Sequence, residues 1–285
     1  MATITTVETP KTTPLPSPFA TEKTNRLSDY HLHTEASFDC KESIYNVCAA
    51  AIKAGLREIC ITDHYDCGYD VCRSTLEASY PSIERAAMEF GPELTVKRGL
   101  EVGEATQCRE DERYMLENYK FDCLLASLHN IRGNGDFYFM DVLKDPEGMI
   151  RKYFEELIEM CETCDFDVLA HLTYPLRYKA FYGIKDLSIY DKEITRIFRL
   201  LIDAGRGLEI NTGGLRIREY NLLLPTEELL KYYKSLGGEI ITFGSDAHEA
   251  ASVAYGFDRA VAAAKAAGFK HYAVYTDRVP ALVEL

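Results

Sequence analysis

Six of the chain's seven histidines fall at the end of a short apolar run. Asp29-Tyr30-His31-Leu32-His33, Thr62-Asp63-His64, Ser127-Leu128-His129, Ala170-His171 and Gly244-Ser245-Asp246-Ala247-His248 each close such a run; Gly99-Leu100-Glu101 closes another with a carboxylate. Alternate side chains of an extended segment share a face, so His31 with His33, and Asp246 with His248, can chelate one ion. A single buried histidine is ordinarily a hydrogen-bonded core residue. Six gathered together would repel if charged and forfeit solvation if neutral. Divalent cations resolve that conflict, because neutral imidazole and carboxylate are their natural ligands. A catalytic zinc-like site uses about three protein ligands and keeps one position open. Six histidines with Glu101 and Asp246 exceed that need and predict two or three ions. Ions sharing a solvent hydroxide activate it and clamp a phosphoryl oxygen, so the chemistry expected is hydrolysis.

Such a gathering needs a scaffold. Strand-like apolar segments occur at about 28–33, 58–62, 95–101, 121–127, 166–171, 207–211 and 239–243. Helical stretches fall between most of them, at about 80–90, 147–162, 189–204, 225–236 and 251–267. The clearest helix has Ile44, Val47, Cys48, Ala51 and Ile52 at i, i+3, i+4, i+7 and i+8, with Gly55 as its stop. Gly205 and Gly237 stand where two later helices should end. Alternating strand and helix implies parallel strands with helical crossovers. Seven strands fit one closed α/β barrel, in which all the strand C-termini share a rim. No linker or repeat divides residues 27–285, which are expected to form one catalytic domain. Residues 1–26, rich in Thr and Pro, are expected to be a flexible tail without a signal-peptide block.

Composition narrows the partners. The 285 residues carry 32 Lys and Arg against 45 Asp and Glu, a net charge of −13, which argues against nucleic acid. No run of 18 apolar residues exists, which excludes a membrane-spanning helix. The nine cysteines are odd in number and irregular in spacing, and several, such as Cys60 and Cys123, sit inside apolar runs. That pattern fits small core residues in a reducing cytoplasm. Cys161-x-x-Cys164 has no second pair and reads as two helix cysteines. Oligomeric state is left open.

The ordered motifs D-Y-H-L-H-T-E-A-S-F-D, I-T-D-H, G-L-E, S-L-H-N, A-H-L and G-S-D-A-H resemble the polymerase-and-histidinol-phosphatase (PHP) family of metal-dependent phosphoesterases. The resemblance runs from about residue 27 to the end. It implies a distorted TIM-like (β/α)7 barrel with the metal site at the C-terminal ends of the strands. It also implies a trinuclear centre: His31, His33, Glu101 and Asp246 on one ion; Glu101 bridging to a second held by His129 and His171; Asp39, His64 and His248 on a third. Some relatives have His where Asp39 stands, and Asp39 has the alternative role of helix N-cap near Lys41. Glu101, Asp246 and His248 carry the catalytic expectation, and Asp63 that of orienting a ligand imidazole. The resemblance is strongest to the stand-alone histidinol-phosphate phosphatases, through S-L-H-N before Phe137-Tyr138-Phe139 and through Glu209-Ile210-Asn211-Thr212-Gly213-Gly214-Leu215-Arg216. There Arg177 and Arg216 match the arginines that hold substrate phosphate, their alternative being surface loop residues. The implied reaction is L-histidinol phosphate plus water to L-histidinol and phosphate, in histidine biosynthesis. A nucleotide, sugar phosphate or phosphodiester is the alternative substrate. The ligand types admit zinc, manganese or iron.

Overall fold

The computed structural model describes residues 27–140 and 142–285; the expected tail at 1–26 lies outside them. Seven strands form the barrel: β1 (Ser28–Leu32), β2 (Glu58–Ile61), β4 (Thr95–Gly103), β5 (Cys123–Ser127), β8 (Val168–Leu169), β9 (Gly207–Asn211) and β10 (Ile241–Gly244). They pair in that order and all in parallel. The first and last meet at the rim through a parallel bridge between Leu32 and Ala247. Asp246 N–H donates to the His31 carbonyl (2.9 Å), and His33 N–H to that of Ala247 (3.0 Å).

Among the described residues, seven α-helices, α1 (Ile44–Lys53), α2 (Cys72–Phe90), α3 (Arg109–Asn118), α4 (Pro146–Thr163), α5 (Asp191–Asp203), α6 (Glu227–Ser235) and α7 (Phe257–Ala267), surround the strands. Ile44, Val47, Cys48 and Ala51 are buried on α1, as their spacing requires. Its N-cap is Ser43, whose hydroxyl accepts from Asn46 N–H at 3.2 Å, so Asp39 is not the cap. Gly55, Gly205 and Gly237 all have positive φ after helix ends.

Several elements depart from expectation. The α2 helix starts at Cys72 rather than near residue 80, because Cys72, Thr75, Leu76 and Ser79 extend its buried face across Pro81 with few apolar side chains to show it. The α3 helix has only Met115 as a buried apolar residue and so no stripe. His64 does not end β2: it opens the separate strand β3 (His64–Asp66), which pairs with the far half of β4. Two hairpins are further additions, β6 (Asn130–Ile131) with β7 (Gly135–Asp136), and β11 (His271–Thr276) with β12 (Val279–Glu284).

The core has two parts. Outside the strands, helix side chains pack in one large cluster. Inside the barrel, Tyr30, Cys60, Cys123, Leu125, Val168 and Ala170 form a second, closed from below by Ala273 and Tyr275 of β11. Cys60 and Cys123 are thus small fillers of the barrel interior, where a Cβ on Gly99 would lie 2.4 Å from the Cys60 sulfur. The nine cysteines are all unpaired. Among the described residues, no helix is long and apolar enough to cross a membrane.

Candidate metal centre

The strand ends bring the six histidines to one rim. His31 and His33 leave the end of β1 fully buried, with ring centroids 5.2 Å apart. Glu101, on β4, points into their midst. Its Oε2 lies 3.2 Å from His31 Nε2 and 3.5 Å from His33 Nε2, and Asp246 Oδ1 stands 3.8 and 3.5 Å from the same nitrogens. The other oxygen, Oε1, lies 3.1 Å from His129 Nε2 and 2.8 Å from His171 Nε2. One carboxylate thus divides its two oxygens between two imidazole pairs. A third group lies nearer solvent, where Asp39 Oδ2 is 3.2 Å from His248 Nε2 and 3.6 Å from His64 Nε2. His64 Nδ1 approaches Glu101 Oε2 at 3.0 Å, joining that group to the first.

The donor set fits divalent cations. His31 Nε2, His33 Nε2 and Glu101 Oε2 are buried and converge, yet make no hydrogen bond, an arrangement costly for polar atoms unless they share a cation. Burial opposes the charge on Glu101, but His31, His64 and His129 hold its carboxyl well below the usual range. Burial lowers His33 and His171 toward the neutral imidazole that a metal requires. At His31, His64 and His129 burial is outweighed by nearby carboxylates, Glu209 and Glu101 at the first and Glu101 and Asp66 at the other two, which hold those three imidazoles well above the usual range.

A ring of supporting groups fixes these side chains. Glu209, fully buried on β9, lies 2.7 Å from His31 Nδ1 through Oε1, while Oε2 accepts His171 N–H (2.7 Å) and the Asn211 amide (3.1 Å). With Nδ1–H donated to Glu209, the His31 Nε2 lone pair faces inward. A Cβ on Gly244 would fall 1.9 Å from Glu209 Oε1 and 2.6 Å from the His31 Cβ, so the pair requires glycine there. Among the described residues Asp63 makes no hydrogen bond to an imidazole, against the expectation that it orients one directly. It accepts from Thr34, from Ser79 and from Ser37 Oγ at 2.8 Å; Ser37 in turn meets His33 Nδ1 at 3.2 Å and accepts His64 N–H. Asp63 therefore acts one link further out. Glu104 accepts His129 N–H at 2.6 Å, and burial followed by the charge of Asp66 pushes its carboxyl up to about 8. Asp66 Oδ1 lies 3.6 Å from His129 Nδ1. Glu104, His171 and Asp246 all have positive φ, a conformation that non-glycine residues hold only when surrounding contacts enforce it.

Sequence reasoning missed Glu209, Asp66 and Glu104. The signal for Glu209 was present: a lone carboxylate between Leu208 and Ile210 in a strand buried on both faces.

The two arginines differ. Arg177 lines the cavity, stacks 4.2 Å from the Tyr174 ring, and donates to Asp246 Oδ2 and the Tyr178 hydroxyl, both at 3.2 Å. Arg216 turns both terminal nitrogens to main chain, donating to the carbonyls of Ser245 (2.5 Å) and Asp246 (2.6 Å). It braces the loop that carries Asp246. The cavity measures about 500 Å³. His129, His171 and Asp246 lie in it beside Arg177, with Asp66, Asp136, Phe38, Tyr138 and Phe139 also on its walls. The three aromatics are exposed.

Known proteins share this arrangement of chain. The PHP domain family model matches residues 29–213. A probable histidinol-phosphatase of Thermotoga maritima is 31% identical over 87% of this chain and 95% of its own length. A histidinol-phosphatase of Lactococcus lactis is 28% identical over 87% of this chain and 94% of its own. The crystal structure of histidinol phosphate phosphatase from Lactococcus lactis, in complex with zinc, L-histidinol and phosphate, superposes with a TM-score of 0.75 at 27% identity, covering 90% of this chain and 98% of that one. With the family model spanning well over half of its residues, the chain belongs to the PHP domain family.

Proposed function

We propose that residues 27–285 form a single catalytic barrel, a metal-dependent phosphomonoesterase that converts L-histidinol phosphate and water to L-histidinol and phosphate. The observation that carries this is Glu101, whose two oxygens face separate imidazole pairs beside a cavity walled by Arg177. Two or three divalent ions, of zinc, manganese or iron, fit the donors. His31, His33, Glu101 and Asp246 would hold the first, Glu101, His129 and His171 the second, and Asp39, His64 and His248 the third. When bound, such ions neutralise phosphate charge and lower the pKa of water.

The chain's own groups then divide the work. Asp246 Oδ2 fixes the Arg177 fork, whose remaining N–H groups can meet phosphate oxygens in a charge-assisted, planar contact. Glu209 keeps His31 in its ligand tautomer. Asp39 and His248, the most exposed of the expected ligands, border the path by which the alcohol departs. Asp66 and Asp136, with the exposed rings of Phe38, Tyr138 and Phe139, suit an alcohol carrying an amine and a flat heterocycle. The free thiols suit a reducing compartment such as the cytoplasm.

Steady-state kinetics with a defined metal provide the test, comparing histidinol phosphate with nucleotides, sugar phosphates and a phosphodiester. The expected outcome is a kcat/KM for histidinol phosphate well above the rest. A preference for another ester would overturn the substrate assignment and leave a phosphoesterase of different specificity.

A further inference from the structure

Tyr174 occupies a position that neither the expected ligand set nor the phosphate contact explains. It opens a short 3-10 turn, Tyr174–Arg177, three residues after His171, and its N–H donates to the His171 carbonyl at 2.7 Å. The side chain is buried. One ring meets both histidines that face Glu101 Oε1, with centroids 4.8 Å from His171 and 4.9 Å from His129. The same ring carries the guanidinium of Arg177 at 4.2 Å. Its hydroxyl accepts from that of Tyr178 at 2.6 Å, and Tyr178 in turn accepts from Arg177. Phe137 packs on it as well, 6.3 Å away.

Resting on the phosphatase function proposed above, we propose that Tyr174 is a positioning residue that couples the two halves of the site. Its ring sets the tilt of the His129 and His171 imidazoles and the plane of the Arg177 fork together, so that the metal side and the phosphate side keep one register. The physical basis is the ring's negative face, which attracts a guanidinium most strongly where water is excluded. The ring is also stiff, with only two side-chain torsions to fix. The coupling is assigned to the ring because His129 and His171 pack ring to ring against Tyr174.

The test uses the full chain loaded with zinc, and inorganic phosphate as the probe. Tyr174→Met fills similar space without a π face. It should raise the inhibition constant of phosphate about tenfold, the scale of one desolvated cation–π contact. It should also shed zinc faster than wild type during dialysis against a chelator. Tyr174→Phe should keep both properties within about twofold. A series of phenylalanine, 4-fluoro- and 3,4,5-trifluorophenylalanine at position 174 weakens the π face at nearly constant shape, which removes any question of misfolding in the methionine variant. Phosphate affinity should fall along it in that order. A flat series, or a Tyr174→Met protein with wild-type phosphate affinity and zinc retention, overturns the proposal, and so does loss of one property without the other. Phosphate inhibition can be followed with whichever ester the enzyme turns over, so a failure of histidinol phosphate as substrate would be seen separately.

Discussion

The two ends of the barrel bury charge in opposite ways. At the floor, charged side chains find partners within the chain, though the buried Tyr275 hydroxyl makes no hydrogen bond. Tyr30 donates to Glu58 at 2.5 Å and accepts Tyr275 N–H at 2.7 Å. Arg278, in the turn of the β11–β12 hairpin, donates through Nε to both oxygens of Asp167 at 3.0 Å and through its fork to Asp165 at 2.9 and 2.7 Å. At the rim, donor atoms of His31, His33, His64 and Glu101 are brought within a few ångströms and left without hydrogen bonds. The same fold closes one end and leaves the other as a set of converging ligands. Burial of charge by itself therefore marks nothing; burial with unsatisfied, convergent donors marks the reactive end.

Substitutions at the two ends should separate along that line. The largest effect is expected for Glu101→Gln, which removes the oxygen charge shared by both imidazole pairs. Its kcat should fall by at least about a thousandfold with the circular dichroism spectrum unchanged, and wild-type kcat at full metal content would refute the shared-carboxylate role. Glu209→Gln comes next, with a loss of about 10- to 100-fold in metal affinity or activity, read by competition with a chromophoric chelator. Arg278→Ala should behave in the opposite sense: kcat/KM unchanged, and unfolding about 2 kcal/mol easier. The pH dependence sharpens it. Hydrogen bonds from Arg278 hold the Asp165 carboxyl below its ordinary range, so their stabilisation is present above about pH 4 and fades as pH falls through that region. Denaturant midpoints of wild type and Arg278→Ala should converge in acid; a constant gap would locate the arginine's contribution elsewhere.

How legible each end was in the sequence follows from the same contrast. The rim residues announce themselves because strand alternation puts His31 beside His33, and because histidine is rare enough that six at strand ends stand out. Asp66 and Glu104 escaped because one carboxylate among 45 acidic residues carries no such contrast. Glu209 did have a signal, its place between Leu208 and Ile210, but a single carboxylate lacks the repetition that marks the histidines. The seven barrel strands and the α1 helix were legible from apolar periodicity. The α3 helix was not, because Asp111 and Glu112 are among its few buried side chains. The floor hairpin escaped too. Its turn is Asp277-Arg278, both with positive φ and neither a glycine, and it is held by pairing with Asp122, Asp165 and Asp167, far away in the chain. Arg216 was expected at the substrate phosphate; its terminal nitrogens instead meet the carbonyls of Ser245 and Asp246, partners that no side-chain pattern reveals.

The seam between β1 and β10 has a consequence for the birth of the enzyme. Asp29 accepts Ser245 N–H across 216 positions of sequence, and Asp246 reaches His31 over nearly the same span. During synthesis the first histidines leave the ribosome long before Asp246 exists. Contacts of such separation form late in folding, since they close the longest loops. Capture of a cation at His31, His33 and Asp246 would therefore act as a clasp on the finished ring, rewarding only chains whose two ends have already met.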